Sequence, residues 1–205
     1  MTSTRNGLLW ATMVALMAVT AGGCQSNKVS RMGEDETADL TTNWNATDSK
    51  KVAETVIKDM LSFPWVAEFK KNNNGKKPRI IVFDIRNKSH TQIAVDTFIN
   101  DIRRAVLRSG KAKFVAASDL RKEIRAERQS QDLHASADTR AAMGQEYGAD
   151  YALSGTISSI VNQSGNTKVV AYQVDLSLLD IESNEIVWTG QEKIKKKGQR
   201  SSWSL

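Results

Sequence analysis

Polar and apolar residues alternate most regularly between Gly148 and Lys197. There, β-branched and aromatic runs are broken only by Ser164-Gly165-Asn166 and Glu182-Ser183-Asn184, the spacing of strands joined by short turns. This predicts a three-stranded antiparallel meander. In its middle run Val170, Tyr172, Val174, Leu176 and Leu178 share one face, while Ala171, Gln173, Asp175 and Ser177 share the other. The first face belongs to a core and the second is wet or lightly covered. Such a sheet is not stable alone in water, so helices upstream must supply the other half of the core.

Those helices are visible as three- and four-residue spacings. Val52, Ala53, Val56, Ile57, Met60 and Leu61 form one stripe, with Thr47 or Asp48 as the cap, and the stripe stops at Phe63-Pro64. Pro64 suits the first turn of a short helix carrying Trp65, Val66 and Phe69, after which Lys70 to Lys77 is a loop. Arg79 to Ile85 is a continuous apolar run of strand length, read as a strand covered on both faces, and Arg86 to Gln92 is read as the loop behind it. Val95, Phe98, Ile99, Ile102, Val106 and Leu107 mark a helix closed by Gly110. Lys113 to Ala116 is a brief strand, and Ser118 caps a mostly exposed helix in which Leu120 and Ile124 are the large apolar positions. A polar connection over Gln129 to Ser136 and a further helix over Asp138 to Tyr147 lead into the meander. The result is one globular α/β (α+β) domain over residues 47–200.

The two ends add a different signal. Residues 1–23 have Arg5, an apolar stretch from Leu8 to Val19 and then small residues, the layout of an export signal too short to span a bilayer. Ala21-Gly22-Gly23-Cys24 resembles a bacterial lipobox, with Ala21 where Leu is usual. The resemblance implies that Cys24 carries a covalent lipid as the first residue of the mature chain, and Gln25 rather than Asp implies sorting to the outer membrane. Residues 24–46, polar and aperiodic, then read as a flexible linker.

Composition narrows the chemistry. The formal charge of +6 is concentrated partly in Lys193, Lys195, Lys196, Lys197 and Arg200, a cluster whose plain reading is a charged strand end that discourages edge pairing. No nucleic-acid module or row of stacking aromatics accompanies it, so no nucleic-acid partner is expected. With two His and one Cys, no zinc-type ligand set can be assembled, and no metal or small-molecule substrate is expected. Asp84 and His90 are the only acid-base candidates near a strand end, and no nucleophile or phosphate-binding loop accompanies them. The chain does not read as an enzyme.

The runs RIIVFDIRNKS, AVLRSGKAKFVAAS, DTRAAMGQEYGADYALSGTISS and YQVDLSLLDIESNEIVWTG, over residues 79–192, resemble the LpoB family, outer-membrane lipoproteins that activate bifunctional penicillin-binding proteins. The resemblance implies a mixed sheet of about four strands ending in the meander and flanked by helices, similar to the N-terminal domain of TolB. It implies a lipid-anchored regulator facing the periplasm, with no cofactor beyond the lipid on Cys24, that binds and activates a peptidoglycan synthase. Carried over by position, the partner surface is Arg140, Gln145, Ala152, Ser154 and Thr156. The residues themselves permit this, because Ala152, Ser154, Thr156 and Ser158 fall on one face of the first meander strand. They equally permit that face to lie under one of the protein's own helices. A structural lipoprotein of an envelope assembly, such as a flagellar basal body or secretion apparatus, is the alternative.

Overall fold

A computed structural model describes residues 30, 31, 33, 39–116, 118–134 and 148–200. The expected export signal, Cys24, Arg140, Gln145 and the helix expected over 138–147 lie outside the described residues. The chain divides into Met1–Glu36 and Thr37–Leu205, and the fold that follows is that of the second unit.

The elements run α1 (Ala46–Met60), α2 (Trp65–Asn72), β1 (Arg79–Lys88), α3 (Val95–Ser109), β2 (Lys113–Phe114), α4 (Ser118–His134), β3 (Tyr151–Ser164), β4 (Thr167–Asp180) and β5 (Ile186–Gln199). They build a five-stranded mixed sheet in the order β2-β1-β3-β4-β5. β1 is parallel to both β2 and β3, and β3, β4 and β5 form the expected antiparallel meander. The fold class is thus the anticipated α/β one, and the brief strand expected at Lys113 to Ala116 is the two-residue edge strand β2, Lys113–Phe114, which makes five strands where the resemblance implied about four.

Local chemistry explains the element ends. Asn45 opens α1: its side chain accepts from the Asp48 N–H at 3.0 Å, and the Asp48 carboxylate accepts from the Asn45 N–H at 3.0 Å. This reciprocal capping box starts the helix earlier than a Thr47 or Asp48 cap would. Trp65, just after Pro64, donates from its indole to the Met60 carbonyl at 2.8 Å, locking the turn between α1 and α2. Gly110 ends α3 with φ 65°, the left-handed conformation a side chain disfavours.

Four expectations need correction. β1 continues to Lys88, because residues 84–88 pair with β3 and do not form a loop. It is not covered on both faces: a bulge between Val82 and Asp84 leaves Phe83 78% exposed. Leu107 is exposed because the buried stripe of α3 narrows to Phe98, Ile102 and Val106, one residue per turn. α4 extends through Gln129 to His134, where a polar connection was expected, since Glu, Arg and Gln sustain an exposed helix without a core stripe.

Valines and leucines at alternate positions of β4 fill the core together with Ile80, Ile85, Leu153 and Ile157 of β1 and β3. Against them pack Val52, Val56, Ile57 and Met60 of α1 and the α3 stripe. Each such side chain contributes on the order of 2 kcal/mol by leaving water. Trp188 of β5 closes this layer, donating from its indole nitrogen to Asp59 of α1 at 2.9 Å. Its ring lies over Gly190, where a Cβ would come within 2.2 Å of ring carbon.

The segment just before α1, read from sequence as linker, is packed on the domain. Trp44 makes edge contacts with Phe98 and Tyr172 at ring separations of 6.1 and 5.6 Å. The Tyr172 hydroxyl donates to the Thr42 carbonyl at 3.2 Å. Lys196 is turned inward and 7% exposed, and bonds the Asn43 carbonyl at 3.0 Å, Asp48 at 2.6 Å and Asp39 at 2.8 Å. One lysine of the C-terminal cluster is therefore a structural tie, not a charge presented to solvent.

Candidate functional site

The core lies on one face of the sheet, and the candidate residues of β3 lie on the other. Tyr151, Leu153 and Ile157 point to the core, and Ala152, Ser154, Thr156 and Ser158 alternate with them and are half-buried. This alternation is the period of a strand, so the register fixes which residues share the face. Gly155 on the core side is required by close approach: a Cβ there would meet the Asp175 carbonyl at 2.3 Å and Leu176 at 2.5 Å.

Across the sheet, Ser154 sits between Asp84 and Ser177, and Thr156 between Arg86 and Asp175. Asp84 and Arg86 form an ion pair within β1. Asp175 accepts from the carboxamides of Gln173 and Gln191 at 2.8 and 2.7 Å. Around Ser154 and Thr156 the face is thus a patch of hydroxyls and amides in which Asp84, Arg86 and Asp175 already have partners. Exposed Phe83 adjoins the Ser154 row at the β1 bulge and supplies the large aromatic side chain that the sequence reading of this face lacked. A bulge hidden inside an unbroken apolar run leaves no signal in sequence by which to find it.

The acid-base candidates do not assemble into a catalytic group. The His90 Nδ1 lies 2.7 Å from the Ser159 hydroxyl oxygen, which also accepts the His90 backbone N–H at 3.0 Å. The ring nitrogen and the hydroxyl thus share a hydrogen bond, and the imidazole ring stacks on Tyr172 at 6.0 Å. Asp84 pairs with Arg86 and does not orient the imidazole. The arrangement fastens the loop behind β1 to the sheet. Among the described residues no group of three or more His, Cys, Asp or Glu is placed to hold a metal ion.

The Gly148-Ala149-Asp150-Tyr151 run has a structural role at the opposite end of β3. Asp150 accepts from the Arg79 backbone N–H at 2.8 Å and from its guanidinium at 2.8 and 3.2 Å, clamping the starts of β1 and β3 together. Beside it is a cleft of about 530 Å³ lined by Trp65, Phe69, Tyr151 and the carboxylates of Glu68, Asp180 and Glu185. Burial first, then the charges of Asp180, Asp150 and Glu68, push the Tyr151 phenol up to about 12. It stays neutral at physiological pH and does not act as a base there.

Comparison with known proteins gives one family. The model described as peptidoglycan-synthase activator LpoB matches residues 48–194. Among solved structures, the LpoB C-terminal domain from Salmonella enterica is 18% identical with a TM-score of 0.44, covering 72% of this chain and 98% of that one. The NMR structure of E. coli LpoB is 15% identical with a TM-score of 0.43, covering 87% and 81%. Lipoprotein GNA1162 from Neisseria meningitidis is 17% identical with a TM-score of 0.38, covering 62% and 88%. No curated protein matches the sequence.

Proposed function

The chain belongs to the LpoB family of peptidoglycan-synthase activators, and from that premise we propose that it is a lipid-anchored, non-enzymatic regulator that binds and activates a bifunctional penicillin-binding protein. The observation that carries this reading is the family match across residues 48–194, nearly the whole of the folded unit.

In this reading Cys24 bears the lipid and holds the chain to the periplasmic side of the outer membrane. The polar stretch that follows Cys24 is the tether of this reading, and about 15 residues at about 3.4 Å each reach roughly 50 Å when fully extended. The partner meets the face of Ala152, Ser154 and Thr156, with Arg140 and Gln145 from the segment ahead of β3. Phe83 beside Ser154 provides the anchor. Small residues let the two surfaces close, and one aromatic side chain supplies most of the contact energy.

The test is to add the full-length protein, in detergent, to purified bifunctional penicillin-binding protein and follow glycan polymerisation. Stimulation that is lost in Ser154→Arg and Phe83→Ala supports the reading. Failure to stimulate, with recovery of only flagellar or secretion components from membrane extract, refutes it. A Cys24→Ser variant that still partitions to the outer membrane refutes the anchor.

A further inference from the structure

The lysines of β5 form a line. Strand alternation turns Glu192, Ile194 and Lys196 to the core side, while Lys193, Lys195 and Lys197 are exposed on the opposite face. Successive members stand about 7 Å apart along the strand. Lys88 of β1 lies in the same row as Lys193, across Ser158 and Gln173. Behind Lys195 lie Ala171 and Ile160, and behind Lys197 lie Val169 and Asn162. Not one of these three rows holds a carboxylate, and among the described residues these four lysines are in no ion pair. The nearest acid on this face is Asp175, already held by two carboxamides.

Lysines on an edge strand discourage edge pairing. Three in line, in no ion pair among the described residues, also repel one another, a repulsion relieved when an anion lies across them. We propose that this ladder is a binding site for a linear carboxylate-bearing glycan, the peptidoglycan itself, beginning two rows along the same sheet face from Ser154. The identity of the polymer rests on the reading of the chain as a peptidoglycan-synthase activator. A line of charges at even spacing suits a polymer with repeating anionic groups, and the Ser158 hydroxyl and Asn162 carboxamide in the ladder's own rows suit sugars. A membrane surface fits less well, since only Ile160 is an exposed apolar side chain in these rows. The ladder also lies where the chain enters the domain, because Lys196, between Lys195 and Lys197, bonds Asp39 and Asn43. A tethered domain would hold the wall at its anchored end and leave the Ser154 end of that face free.

The experiment is co-sedimentation of the full-length protein in detergent with purified sacculi over a range of salt, with synthase stimulation measured in parallel. The wild type should bind, and more weakly as salt rises. Lys193→Gln/Lys195→Gln/Lys197→Gln should bind about tenfold more weakly, while an equal charge loss at Lys70, Lys71 and Lys76 leaves binding unchanged. All these positions are exposed or half-exposed, so both triple variants are expected to fold, which thermal melting checks. Equal loss in the two variants, no loss in the β5 variant, or preference for phosphatidylglycerol vesicles over sacculi overturns the proposal. Stimulation retained by the β5 variant separates the two sites, whereas a wild type that binds sacculi but stimulates no synthase strikes the functional reading and not the ladder.

Discussion

Replacing Lys196 by Met tests how the chain entering the domain is held. The ammonium is 7% exposed, and the Asp48 side chain that it meets at 2.6 Å is 10% exposed. Removing one member of a buried pair typically costs 3–5 kcal/mol, because the other charge is left without its partner. Asp48 keeps its bond from the Asn45 N–H, which favours the low end, and the Asn43 carbonyl loses a donor. A loss of about 3 kcal/mol follows, or roughly 6–12 °C in Tm for a domain of this size. Urea denaturation gives the free energy, and Asp48→Asn closes a double-mutant cycle while keeping a capping acceptor. The double variant should be at least about 1.5 kcal/mol more stable than the sum of the single losses predicts. A single loss below about 1 kcal/mol, or additivity within about 0.5 kcal/mol, refutes the pairing. The pH dependence supplies a second check. Burial is the largest single influence on Lys196 and pulls its pKa down, but its hydrogen bonds to Asp39 and Asp48 and their negative charges together raise it. A raised lysine stabilises fully below its unfolded value of about 10.4 and loses that contribution as pH rises through the folded value. Asp39 is held low by its hydrogen bond with Lys196, so its contribution is present above about 3.9 and lost on acidification. Lys196→Met should weaken both limbs.

Gly190→Ala should destabilise by roughly 1–3 kcal/mol in urea melts, because its Cβ would lie 2.2 Å from the buried Trp188 ring. Asp150→Ala removes the carboxylate that clamps Arg79, and a loss of about 2 kcal/mol with faster amide exchange at the start of β1 and β3 is expected. Above pH 10 the Tyr151 phenol, raised to about 12 by burial and then its carboxylate neighbours, resists ionising while the unfolded chain ionises freely. Stability should therefore fall between pH 10 and 12, and Tyr151→Phe should remove that part of the fall. Ser154→Arg, on the half-buried face, should change stability by less than about 0.5 kcal/mol and reduce synthase stimulation by at least about tenfold.

The fold was legible wherever one residue's burial depends on its period. The alternation from Val170 to Leu178 placed five side chains on the core face of β4, and all five are buried. The Val52 to Met60 stripe and the Gly110 stop behaved the same way, because each reflects a local geometry that the sequence must satisfy. Legibility failed where tertiary contacts decide. Phe83 sits in an apolar run that reads as buried, and only the register shift against β3 leaves it outside. Trp44 lies in a polar stretch with no periodicity, and its packing depends on Phe98 and Tyr172 far along the chain.

The candidate site divides along the same line. Which residues share a face with Ser154 follows from period two alone, so that part of the site was readable and its place opposite the core agrees. Its energetic centre was not, since small residues give approach but little binding energy, and the aromatic side chain that could supply it comes from a neighbouring strand through a bulge. Lysines were the hardest to read. In the run Lys193 to Lys197 the same residue type serves both as a buried tie at Lys196 and as exposed charge at its neighbours, and parity along β5 separates the two. Parity becomes usable only once the register Val170 to Lys196 is known, which turns Lys196 to the core side, where it meets Asp48, 148 residues away in sequence. A charge cluster at a strand end is therefore two features interleaved, and substituting its members together would confound stability with binding.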